Sequence, residues 1–341
     1  MEWIESLEAE TVSVLIGIIT GLVFGVFAQQ SRFCLRAACI EFWRGHPAQK
    51  FAIWLIAFSC ALIATQMAIA NQMLETGSIR QLTTTGSLSG AILGGSLFGI
   101  GMVLARGCAS RLLVLSGTGN QRALVAGLVV TLVAQATLRG GLSPLREDLG
   151  NLWLIGPEQR NLADYLPSYL PMFLGAGLLV LGLWMGVKHK ASRYFMLGAG
   201  IVGGSVALGW TLTAWHASWS FNIVSIKSVS FTGPSADTLM GFINSPTIPL
   251  NFDIGIVLGV FGGSLMASLV TGQFQLQSFN EETGLSRYLI GAVLMGFGGM
   301  LAGGCAVGAG VTGGAVMALT AWVALLFMWL SAGLTDRLID R

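Results

Sequence analysis

Five thiols, Cys34, Cys39, Cys60, Cys108 and Cys305, are spread over 341 residues. They form no CxxC pair and no zinc-type spacing, and their number is odd, so neither a disulfide framework nor a metal centre accounts for them. Three stand where the backbone has reason to break: SRFCL around Cys34, ARGCA around Cys108 and GGCAV around Cys305. No Asp or Glu falls inside an apolar run, and Asp253 stands only at the mouth of one. Carboxylate proton relays and cation sites are therefore excluded. The 13 methionines are scattered and no Cys/His cluster joins them, which leaves a soft-metal carrier without a ligand set. What remains is thiols, glycine amides, a few hydroxyls and Arg106. Broken-helix N-termini offer unpaired N–H groups and partial positive charge, and thiols add weak S–H donors. That inventory suits a small, soft, sulfur-bearing anion better than a metal cation or a sugar.

Each candidate has a plainer reading beside it. Arg32 and Arg36 flank Cys34 and would favour an anion or a thiolate; Arg36 and Arg44 are equally explained by the cation bias of inner loops. Gly107 and Gly304, each just before a cysteine, mark helix breaks that would line the route; as small-residue packing positions they would need no substrate. Arg106 is the one arginine read at membrane depth, where a charge costs about 3 kcal/mol unless paired or hydrated. Its long side chain either reaches interfacial water or meets an anion. Thr232 and Ser235, in TGPSADTLM, read as a turn whose hydroxyls cap the helix that follows, with a substrate-facing role resting on their position opposite the Cys34 loop. Cys60 lies mid-run in a plain apolar helix and reads as packing; for Cys39 a structural role is the plainer of two open readings.

These residues must be positioned by membrane-spanning elements. The chain is 54% hydrophobic and 10% charged, with 47 glycines against 8 prolines; a soluble domain carries about 25% charge. A net charge of +2 with no basic tract excludes nucleic acid as a partner. Runs of about 20 apolar residues predict nine spans, at 12–30, 51–72, 88–105, 122–138, 170–187, 194–213, 253–272, 288–303 and 314–332. The acidic start MEWIESLEAE is no secretory signal, so the first run is a retained span. With the N-terminus outside, twelve Lys and Arg fall in inner loops and five (Arg80, Arg139, Arg146, Arg160, Lys227) in outer ones. The cation bias thus predicts a periplasmic N-terminus and a cytoplasmic C-terminus. Residues 140–168 read as the longest polar connection, and no separate soluble domain is visible: 1–341 is a single integral membrane domain.

The chain also repeats itself. GGSLFGIGMVLARGCA (94–109) and GAVLMGFGGMLAGGCA (291–306) match at nine of 16 positions, cysteine included. They are the third and eighth spans, five apart, and so run in opposite directions. A weaker match pairs GIITGLV (17–23) with GIVGGSV (200–206), while GIVLGVFGG (255–263) resembles the first span through shared composition. The expected architecture is all-α: a first repeat at 12–138, a linking span at 170–187 and an inverted second repeat at 194–332. Broken, glycine-rich helices then meet near the midplane, where such transporters hold their site.

The three cysteine contexts resemble those of the YeeE/YedE family of sulfur-compound transporters. SRFCL looks like its RFC loop, GIGMVLARGCA and GAVLMGFGGMLAGGCAVGAG like its two GGC motifs, and TGPSADTLM like its turn before the seventh span. The likeness runs over roughly 12–332. It implies an inner-membrane uptake transporter for thiosulfate, hourglass-shaped, with the anion handed between Cys305, Cys108 and Cys34 by S–H···S contacts. It also implies cytoplasmic sulfurtransferase partners of the TusA-like or rhodanese type, and neither enzyme activity nor a cofactor. The second motif departs from the family, reading RGCASR where many relatives have GGCATG, and Cys39 lies outside the three-cysteine pattern. Sulfite, sulfane sulfur and selenium species stay open as substrates. A membrane thiol-disulfide oxidoreductase is the rival reading of the same cysteines, and it lacks a resolving pair in sequence.

Overall fold

In lipid every backbone N–H and C=O has to be satisfied within its own segment, so apolar runs of this length fold as helices. The computed structural model describes residues 9–46, 48–167, 169–244, 250–278 and 284–339. Among the described residues, nine helical segments are long and apolar enough to cross a membrane. Residues 1–8 and Arg341, which entered the orientation argument, lie outside the described residues. The first half runs α1 (Ala9–Ser31), α2 (Leu35–Trp43), α3 (Gln49–Ala70), α4 (Leu88–Leu104), α5 (Ala109–Gly117) and α6 (Gln121–Arg139). After α7 (Ser143–Asn151) and α8 (Leu170–Lys188) come α9 (Arg193–Trp219), α10 (Thr232–Asn244) and α11 (Phe252–Val270). The chain ends with α12 (Leu285–Leu301), a π-helical turn at Ala306–Thr312 and α13 (Leu319–Ile339).

Glycine faces decide which helices touch. α1 packs on α11 and α9, α3 on α9 and α8, α4 on α12 and α13, and α6 on α12. Lipid supplies no hydrophobic force between helices, so close backbone approach has to do that work. A methyl on Gly21 would stand 2.5 Å from the Ile256 carbonyl oxygen, and one on Gly259 2.5 Å from that of Ile18. Gly17, Gly21 and Gly25 thus mesh with Gly255, Gly259 and Gly263. The likeness of 255–263 to the first span is more than shared composition: two contacting helices carry the same four-residue glycine spacing.

Three other expectations shift. The described part of 140–168 is a folded cap and not an open loop. Its strand β2 (Leu154–Ile155) pairs antiparallel with β1 (Gly86–Ser87), and the Ser87 and Ser89 hydroxyls donate to the carbonyls of Gly150 and Leu149 at 2.6 and 2.8 Å. Arg160 is buried there, donating to the Thr84 carbonyl at 2.6 Å and the Thr320 hydroxyl at 3.2 Å. α9 runs six residues past 213 because His216 is buried in it, its Nδ1 3.3 Å from Ser13 Oγ. The last span begins at Leu319, since Met317 adopts a left-handed φ of 59° and ends the preceding turn. It continues past 332 because the buried Asp336 is gripped by both arms of Arg44, at 2.8 and 2.9 Å.

Candidate functional site

The three expected break cysteines share one local construction. Each follows a helix closed by a residue of positive φ two places upstream: Arg32 (55°), Arg106 (54°) and Gly303 (84°). In each the next amide reaches back five residues, Phe33 to the Ala28 carbonyl, Gly107 to Met102 and Gly304 to Gly299, which is a Schellman ending. The cysteine then adopts extended backbone and becomes the N-cap of a new short helix. At Cys305 the sulfur itself accepts the Gly308 N–H at 3.4 Å. The corresponding amides, of Ala37 and Arg111, lie beside the sulfurs of Cys34 and Cys108 without closing a cap. Each thiol therefore sits at a positive helix end in a chain gap where backbone polar groups are available.

Two of the three are brought together. Cys34 at the α1–α2 break and Cys108 at the α4–α5 break are neighbours through their thiols, although 74 residues separate them. Cys108 also lies 3.3 Å from the Ser110 hydroxyl. The Cys305 thiol takes part in neither interaction. Cys305 and Cys108 are 0% and 1% exposed, while Cys34 is half-buried, so the first two are sealed from solvent. Phe24 lies 5.1 Å from Phe231 and 6.3 Å, edge-on, from Phe33, the residue before Cys34.

The remaining candidates divide. Arg111, one of the twelve cations that the sequence places in inner loops, acts electrostatically on both Cys34 and Cys108 with Arg32 nearby. Its Nη1 is buried and has no hydrogen-bond partner. The signal that could have found it is spacing: it lies three residues past Cys108 and so shares that residue's helical face. Arg106 is exposed at its left-handed turn, and Arg32 is exposed with its guanidinium carbon 5.9 Å from the centre of the Phe195 ring. Gly107 has room for a side chain, whereas a methyl on Gly304 would meet the Ala309 nitrogen at 2.8 Å. Thr232 does not cap α10 as its sequence suggested. It is the first helical residue, buried, and its hydroxyl is unpartnered, close to Gly299 just before the Cys305 break. Ser235 is half-buried one turn on. Cys39 is wholly buried in α2. Cys60 lines an apolar groove of about 760 Å³ with Leu179, Leu183 and Gly200, away from the breaks. Among the described residues no three His, Cys, Asp or Glu side chains group as metal ligands.

The same residues fall within a known sequence pattern. The family described as sulphur transport matches residues 30–334. The thiosulfate transporter TsuA of Escherichia coli (strain K12) is 28% identical over 341 aligned residues, covering 92% of this chain and 91% of that protein. The thiosulfate transporter TsuA of Spirochaeta thermophila is 27% identical over 330, covering 91% and 94%.

Proposed function

Since the chain belongs to the sulphur-transport family, and is thus a multi-pass membrane transporter and no enzyme, we propose that it carries thiosulfate into the cell. The observation that carries this reading is the repeated device of the helix breaks: a thiol as N-cap after a Schellman ending, three times over, at Cys34, Cys108 and Cys305. The names of the two relatives supply the substrate. Thiosulfate has a soft terminal sulfur that accepts S–H and backbone N–H donors, and a charged oxygen end that favours positive helix termini and guanidinium. Transport runs from Cys305 to Cys108 to Cys34, with the protein in the inner membrane, its N-terminus periplasmic and its C-terminus cytoplasmic. Gly107, Gly304, Thr232, Ser235, Arg32 and Arg106 line that route. The anion is then passed to a cytoplasmic sulfurtransferase of the TusA-like or rhodanese type.

The whole chain acts as one transport domain of two inverted halves, 12–138 and 194–332, joined by α8. The packing of α4 on α12 supports this. Gly94 meets Gly298 while Gly101 meets Gly291, and the 94–109 over 291–306 alignment pairs Gly94 with Gly291 and Gly101 with Gly298, so each contact is the other's image.

The direct test is growth of a cell lacking its own thiosulfate and sulfate carriers, with thiosulfate as sole sulfur source, alongside uptake of radiolabelled thiosulfate. Expression of this chain restores both. Absence of uptake by a chain that reaches the membrane overturns the reading.

A further inference from the structure

We infer that Arg111 is the counter-ion of the transported anion, holding its oxygen end while the thiols of Cys34 and Cys108 face its terminal sulfur. The inference rests on the uptake reading above and adds a specificity-determining residue to it. Arg111 stands three residues past Cys108 on the face of α5 that carries it, close enough to act electrostatically on both thiols, and its Nη1 is buried without a hydrogen-bond partner. No carboxylate answers it. Among the described residues the ion pairs join Arg44 to Asp336, Arg146 to Glu147 and Lys227 to Asp253. The charges that do face the pocket are of its own sign: Arg32 acts on Arg111, and Arg36 on Cys34. A buried guanidinium nitrogen left unpartnered, beside other cations and without a carboxylate, is costly. A fold that keeps one next to two substrate-facing thiols has built an anion site.

The geometry also specifies which anion. A guanidinium is a planar fork of N–H donors that matches oxyanions with two parallel hydrogen bonds. Thiols and the amides beside them suit a soft sulfur. Together they discriminate a small anion carrying both sulfonate-type oxygens and a terminal sulfur from one carrying only sulfur. Arg106 does not take this part, since its side chain points to the exposed side of its turn.

The experiment uses the full chain, as parent, Arg111→Gln and Arg111→Lys, with radiolabelled thiosulfate uptake in cells and thermal unfolding of the purified protein with and without thiosulfate. The expected result is a KM about 30-fold higher in Arg111→Gln and about 5-fold higher in Arg111→Lys, as for loss or weakening of a charge-assisted bond. Without thiosulfate, Arg111→Gln melts at the parent temperature or above, because a cation with a buried, unpartnered nitrogen has gone, yet it loses the upward shift that thiosulfate gives the parent. A merely structural arginine does the reverse: the apo protein melts lower and the ligand shift survives, which overturns the inference. An unchanged KM in Arg111→Gln also overturns it. If Arg111→Gln does not fold, Arg111→Lys decides on the same KM criterion. Failure of the parent itself to take up thiosulfate instead overturns the transport reading.

Discussion

A thiol in a helix break and a thiol in a continuous helix look alike in composition and differ in what surrounds the sulfur. Cys34, Cys108 and Cys305 stand where carbonyls and amides are free of their helical partners, and Cys60 faces an apolar groove. Single replacement of each of the first three by Ala is therefore expected to abolish thiosulfate uptake, at unchanged amounts of membrane-inserted protein. Cys60→Ala keeps uptake near the parent rate. Equal loss from all four would point to a general folding defect and not a pathway. The adjacency of Cys34 and Cys108 gives a second expectation. Copper phenanthroline should join these two thiols, stop uptake, and release it on reduction, with the linked peptides identified by mass spectrometry. A Cys39–Cys34 product instead would mean that the two breaks do not meet in the membrane.

The helix breaks carry their own energetics. Arg106 holds a left-handed φ of 54°, a conformation costing a side-chain-bearing residue about 1–2 kcal/mol. Arg106→Gly relieves that strain and gives back about 0.5–1 kcal/mol through the freer unfolded chain. The net is a stabilisation of about 0.5 kcal/mol, read as a small rise in melting temperature. The glycines before Cys108 and Cys305 then part company. Gly107 has its nearest prospective neighbour, a Leu112 methyl, at 3.4 Å, whereas a methyl on Gly304 runs into the Ala309 nitrogen at 2.8 Å. Gly107→Ala should stay within about 0.5 kcal/mol of the parent. Gly304→Ala should lose about 1–3 kcal/mol by forcing the π-helical turn to shift, with uptake falling alongside. A melting curve for each separates the two.

Over the whole molecule, contacts far apart in sequence tie the ends of the bundle together. Arg44, after α2, holds the buried Asp336 near the end of α13 with two hydrogen bonds. Removing one partner of a buried pair costs 3–5 kcal/mol; the half-exposed Arg44 side chain (45%) lowers that figure. Arg44→Ala should therefore cost about 2 kcal/mol, measured as a lower unfolding temperature in detergent. Arg44→Lys should recover part of it, since the charge survives and the bidentate fork does not. A parent-like melt for Arg44→Ala would mean that Asp336 is held by its other surroundings.

Periodicity and composition were enough for the nine membrane-length helical segments among the described residues, while short motifs carried the three break cysteines and the family resemblance. Each is a local property: an apolar run of membrane length has one way to satisfy its backbone, and Arg-Gly-Cys or Gly-Gly-Cys announces a break wherever it falls. Boundaries failed where a charge was neutralised from elsewhere, as Asp336 is by Arg44, or where a non-glycine residue took a left-handed turn, as Met317 does. The pairing of Cys34 with Cys108, and of Arg111 with Cys34, had no sequence signature. It depends on how close α1 and α4 are drawn to their neighbours by glycine faces on α11 and α12. A glycine run says that a helix can be approached closely, and only the packed bundle decides by which partner and in what register, because that choice is made by complementary backbone surfaces and not by either surface alone.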